Sequence, residues 1–185
     1  MPTSRTVPDD ILRFWFDEIT PAQWWKVDPA FDRAIASRFG ALHAAAAQGE
    51  LFGWRGDALG RLAEVIVLDQ FSRNIIHRGT AQAFSADTTA LVLAQEVVAA
   101  GLDRRIDPPR RLFFYMPYMH SESRLVHEQA ERLFTDLGMQ SNLDFERRHK
   151  AIVDRFGRYP HRNEVLGRTS SDEEMAFLQT PGSSF

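Results

Sequence analysis

The chain has 185 residues, of which 44% are hydrophobic and 25% charged, with no cysteine and a formal net charge of −3. This length suits one ordinary globular domain that buries its apolar surface unaided. The lack of cysteine excludes disulfide frameworks, zinc ribbons, iron–sulfur clusters and thiol nucleophiles, and the slight negative charge argues against a nucleic-acid face, which needs a basic stripe.

Helical signals follow one another along the chain. Thr6 is placed to cap a first helix with Pro8, Asp9 and Asp10 in its opening turn, followed by Ile11, Leu12, Phe14 and Trp15. Asp28 and Pro29 open a second, with Phe31, Ile35, Phe39 and Leu42 at helical spacing. A third starts at Asp57 and runs through Leu62, Ile66 and Leu68 until Gly79 stops it. A fourth begins at Ser85 or Asp87 and ends at Gly101, a residue suited to the left-handed terminal conformation. Asp107 and Pro108 begin a short fifth, broken near Pro117. Residues 121–138 and 142–157 make two more, and Ser170 with Glu173 forms a capping-box pattern for a last one. Residues 112–119 (LFFYMPYM) are the best strand candidate, but Pro117 demotes them to an edge. The fold class expected is all-α, a single domain over residues 1–185 built from antiparallel helical hairpins. The strict tetratricopeptide signature is absent and no fixed period recurs, although a degenerate hairpin array fits. No apolar run approaches the roughly 20 residues of a membrane span, and the N-terminal residues lack the apolar core of a secretory signal. The expectation is a cytoplasmic protein that meets no membrane.

Four stretches hold polar chemistry. In residues 68–74 (LDQFSRN), Asp69 and Arg73 fall about 40° apart on a helical wheel, in line with apolar Leu62. They are either an internal salt bridge fixing helix register or one wall of a polar pocket. Arg78, Gly79 and Thr80 precede Phe84, Ser85 and Asp87; they read as cap sites with a loop ion pair between Arg78 and Asp87, or as part of a ligand site. Aromatic and Met residues from Phe114 to Met119 lead into His120 and Glu122, as core and helix cap or as an apolar pocket with a polar floor. The most unusual stretch is residues 155–163 (RFGRYPHRN), where Gly157 ends a helix and Pro160 delays the next. Its guanidiniums suit an anion clamp through Arg158, His161, Arg162 and Asn163, or they tie the C-terminal segment to Asp69, Asp87 or Glu122. Residues 103–163 carry 12 basic and 9 acidic groups, enough to favour a small anion and far too few for a duplex.

Metal signals are weak. His127 to Glu131 reads HExxE, one residue type short of a zinc pair, and Glu146 with His149 matches half of a di-iron pattern that has no second copy. No phosphate-binding Gly-rich loop, dinucleotide fingerprint or nucleophile elbow is present.

Residues 68–87 (LDQFSRNIIHRGTAQAFSAD), 113–122 (FFYMPYMHSE) and 155–168 (RFGRYPHRNEVLGR) together resemble a bacterial family catalogued as domain of unknown function 924. Phe14, Trp15 and Phe16, and the Glu-Glu-x-x-Phe-Leu pattern at Glu173 to Leu178, extend the resemblance over essentially the whole chain. It implies an all-helical fold grouped with tetratricopeptide-like repeats, a tetratricopeptide-like α-α superhelix, and supplies no catalytic residue. Ser72 stands where a Pro is usual, and His77 where an aromatic is common.

Together these features nominate a pocket for a small anionic or polar ligand lined by Asp69, Arg73, Arg78, His120, Glu122, His149, Arg158, His161, Arg162 and Asn163. Arginines would hold the anion, and His120 or His161 would carry protons if chemistry occurs. The rival expectation is a non-enzymatic scaffold taking a peptide or protein partner in a concave groove, with apolar residues such as Trp24, Trp25, Phe52 or Trp54 exposed. A third is metal-dependent hydrolysis. No cofactor, nucleic-acid partner or oligomeric state is implied by these residues.

Overall fold

The structure, a computed structural model, describes residues 6–76 and 79–184. Among them there is no strand, and the fold is all-α. The helices are α1 (Pro8–Arg13), α2 (Pro21–Trp24), α3 (Pro29–Ala47), α4 (Ala58–Ile66), α5 (Ser72–Ile75), α6 (Asp87–Ala99), α7 (Pro108–Met119), α8 (Arg124–Leu137), α9 (Gln140–Phe156) and α10 (Asp172–Leu178). None of them is long and apolar enough to cross a membrane. The chain gathers into two compact units, Met1–Arg78 with Gln82–Pro117, and Gly79–Ala81 with Tyr118–Phe185.

The first unit is held by aromatic packing. Phe39 meets Phe14 at 5.0 Å and Phe71 at 5.2 Å between ring centres, while Phe113 meets Trp24 at 5.0 Å and Trp15 at 5.7 Å. Three of these rings, Phe14, Trp15 and Phe71, arrive on two π-helical turns, Phe14–Glu18 after α1 and Val67–Phe71 after α4. A π turn inserts one extra residue and rotates the register of the helix beyond it. All five residues of Val67–Phe71 are consequently buried, Asp69 and Gln70 included. At the start of α4 the chain passes so close that a Cβ on Gly60 would lie 2.0 Å from the Trp54 carbonyl oxygen.

In the second unit, α8 and α9 form an antiparallel hairpin across Gly138, whose left-handed φ of 76° ends α8. The partners run in opposite directions: Arg124, at the start of α8, reaches the carbonyls of Val153 and Asp154 near the end of α9, whereas His127 and Glu131, further along α8, meet Glu146 and Arg147, earlier in α9. Gly157, with φ 71°, ends α9 and turns the chain toward Tyr159. Tyr159 packs on Ile152 and Val153, with Phe156 and Phe177 alongside.

Several local expectations need correction. Val7, not Thr6, is the residue before α1, and its N–H is satisfied by the Asp10 carboxylate at 3.0 Å. Pro117 does not break α7 but lies in its last turn, where it removes the amide that would bond the Phe113 carbonyl and the helix ends two residues later; residues 112–119 are helix rather than strand. Every residue of that stretch is buried, so no periodicity marks it. The third helix ends at Ile75, before Gly79, after its π turn. Ser123 rather than Ser121 caps α8, and α9 starts at Gln140 rather than Asn142. The closing capping box is Ser171 with Glu174, one residue beyond the Ser170–Glu173 pair, because Glu174 must face Arg158.

Candidate functional site

The nominated residues fall into one set in each unit. In the first, Asp69 is fully buried on its π turn, and Gln70 donates to its Oδ2. Arg73 donates to the Asp69 carbonyl at 2.6 Å and approaches its Oδ1 at 3.5 Å. The same guanidinium grips Asp87 with two bonds of 3.1 Å, and Asn74 donates to Asp32 at 2.7 Å. Arg78 lies outside the described residues. Beside this set His43 Nε2 meets Ser72 Oγ at 2.7 Å, while Ser72 donates to the Leu68 carbonyl. The histidine is therefore the donor in that pair, the reverse of what activating a serine requires. Burial lowers the His43 pKa further.

The second unit gathers the remaining residues around Tyr159, whose hydroxyl donates to the Met119 carbonyl at 2.6 Å. Three imidazoles approach its ring: His161 at 5.5 Å, His149 at 5.8 Å and His127 at 6.2 Å between centres. The Arg162 guanidinium stacks over the same ring at 4.5 Å. His149 Nδ1 donates to the Phe145 carbonyl at 2.8 Å, and burial lowers this histidine to about 3. His161 falls to about 4, through burial first and the Arg162 charge second. His120 is half-buried and acts electrostatically on His149.

A frame of ion pairs surrounds this cluster. Glu122 takes two bonds from Arg168, at 2.6 and 2.9 Å, and one from the Tyr159 N–H at 2.7 Å. Burial disfavours its charge, but these donors outweigh burial and hold the carboxyl below its usual range. Arg158 grips Glu174 through bonds of 2.6 and 2.7 Å, which holds that carboxyl down at about 2. Asn163 donates to Ser170 at 3.0 Å and accepts from Arg168 at 2.9 Å. In the hairpin, His127 Nε2 faces the Ser121 carbonyl at 2.8 Å, and its Nδ1 faces Glu146 Oε1 at 2.7 Å. Among the described residues, no three His, Asp or Glu side chains are arranged to hold a metal ion.

Five partners in this frame were not nominated from sequence: His127, Glu146, Tyr159, Arg168 and Glu174. For two of them a signal existed. His127 lies in phase with Ala130, Phe134 and Leu137 on the buried face of α8, and Glu146 with Leu143 and Val153 on that of α9.

The model of a family described as bacterial protein of unknown function, DUF924, matches residues 11–182. The chain belongs to this family. A solved protein of unknown function from Agrobacterium tumefaciens is 39% identical to this DUF924 chain, with a TM-score of 0.88 over 93% of this chain and 96% of that one. No curated protein matches. The nominated Arg158, His161, Arg162 and Asn163 all lie within the region the family model covers.

Proposed function

We propose that this DUF924 protein acts in the cytoplasm as a binder of a small molecule bearing an acidic or strongly polar group, at the Tyr159 cluster of its second unit. One observation carries the reading: three imidazoles and a guanidinium converge on a single buried tyrosine ring. Interiors hold so many ionisable groups at a stability cost, and such groups concentrate at functional sites. Arg162, His161 and His120 are the groups assigned to the ligand. Arg158, Glu122 and Asn163, with Arg168 and Glu174, frame them.

A thermal-shift panel of inorganic phosphate, short carboxylic acids and nucleotides tests this on the wild type and Arg162→Met. The expected result is an acid that raises Tm by about 5 °C at a hundredfold excess over Kd, with the shift lost in the variant. A silent panel, or a shift equal in both proteins, contradicts the reading.

A separate observation favours a second reading, the scaffold. Phe52 is 72% and Trp25 51% exposed in the first unit, whereas Trp24 and Trp54 are half-buried. A tetratricopeptide-like stacking of hairpins, as the family resemblance implies, would give such residues a groove. A stoichiometric protein partner lost on Phe52→Ser with Trp25→Ser would support it.

A further inference from the structure

His149 sits in the penultimate turns of α9, and His161 in the tight turn Pro160–Arg162 that succeeds it, so both rings tie α9 to the segment beyond Gly157. We propose that this arrangement is a proton-triggered release: His149 and His161, packed with Arg162 on the Tyr159 ring, keep the second unit closed while neutral, and their joint protonation opens it.

The groups facing the two rings explain why. His149 meets the Phe145 carbonyl on its own helix, His127 from α8, and His120 and Arg162 from the segments on either side. His161 meets Arg162, Glu122 and Arg168, and its ring donates to the Ser183 backbone of the C-terminal segment, a bond that favours the protonated form but is outweighed by burial and Arg162. Glu122, the carboxylate acting on His161, already receives Arg168 and the Tyr159 N–H. Nearby Glu146 is engaged by His127, with Glu131 and Lys150 acting on it from outside. A proton on either ring therefore adds a charge beside the fixed charge of Arg162, in a place where burial already disfavours it.

The direction of the shifts sets the pH window. The unfolded chain protonates both rings near pH 6.5, whereas the folded unit resists to about 4 for His161 and about 3 for His149. Stability is complete above the unfolded value and falls as the pH drops below it. Each histidine raises the open-to-closed ratio by up to about tenfold per pH unit, so the two raise it by up to about a hundredfold, and Glu146, raised by burial, takes back less than about tenfold of this. Glu122 and Glu174, both held below their usual range, add their effect only below about 4.5. Burial lowers His43 in the first unit as well, which gives that unit one such group.

All four tryptophans lie in the first unit, so fluorescence does not report on the second. The test is hydrogen exchange read by mass spectrometry on the full chain between about pH 7 and 4.5, corrected for intrinsic rates. Below about pH 6.5, protection in α8 and α9 should fall by between about tenfold and a hundredfold per pH unit, and that in α4 and α6 by about tenfold or less. His149→Asn keeps an N–H for the Phe145 carbonyl and should reduce the second unit's slope to less than about tenfold per unit. Adding His161→Gln should flatten it or reverse its sign, as Glu146 then acts alone. A wild-type slope of tenfold or less in α8 and α9 overturns the proposal whatever the variants do, and so does an unchanged slope in a folded variant.

Discussion

The proton between His127 and Glu146 has its position dictated by a carbonyl. His127 Nε2 must carry hydrogen because it faces the Ser121 oxygen, so Nδ1 and Glu146 Oε1 share the remaining proton across 2.7 Å. Glu146 Oε2 is buried with no hydrogen-bond partner, and burial raises the Glu146 pKa. The favourable contribution of that carboxyl is therefore complete below its usual pKa and declines as the pH rises through the raised one. Removing the histidine leaves the carboxyl stranded: His127→Ala should cost about 3–5 kcal/mol in urea unfolding. Glu146→Gln offers an amide donor to Nδ1 and should cost about 1 kcal/mol. Equal losses in the two variants would contradict this account of the pair.

At the scale of elements, two glycines make a paired prediction. Gly60 needs its missing Cβ because the Trp54 carbonyl would lie 2.0 Å away, so Gly60→Ala should destabilise by about 2 kcal/mol or more. Gly40 lies inside α3 with nothing within 4 Å of its added Cβ, so Gly40→Ala should stabilise by about 0.5–1 kcal/mol. Thermal unfolding of the two variants checks both signs. Elements also differ in how legible they are in the sequence. Asp28 and Asp57 cap α3 and α4 where the residue pattern places them, and Gly138 and Gly157 close α8 and α9. These are local signals, each set by a side chain and the backbone within three residues of it. The register of α10 is not local: Glu174 is chosen over Glu173 by Arg158, sixteen residues away. Ser171→Ala should still cost about 1 kcal/mol, since Ser171 Oγ accepts from the Glu174 N–H, whereas Asp172→Ala should cost less. The π turn itself leaves no mark in hydrophobic spacing, because it changes the register rather than the residue types, although Asp69 reads as inward-facing from its alignment with Leu62. Likewise, the stretch around Gly157 and Pro160 reads as a cluster of guanidiniums, but the hub that collects them is Tyr159, an apolar-looking residue in the middle of it.

For the whole molecule, the buried ionisable groups set the shape of the stability curve. His43, His149 and His161 are all lowered by burial, so each withdraws stability as the pH falls below about 6.5. Glu122 and Glu174 are lowered by their arginines, so each withdraws it below about 4.5. The urea midpoint should therefore fall in two stages, one in each range, with buried Glu146 opposing part of the first. A midpoint that stays level from about pH 7 down to 4.5 would place the histidines in water. Both the ligand reading and the acid release depend on the imidazoles being neutral and fixed on Tyr159. The most direct measurement is a long-range proton–nitrogen correlation spectrum of the imidazoles in the folded protein between about pH 8 and 5. The account predicts that His149 and His161 stay neutral throughout, with His149 protonated on Nδ1. Either ring titrating with a midpoint near 6.5 would contradict it.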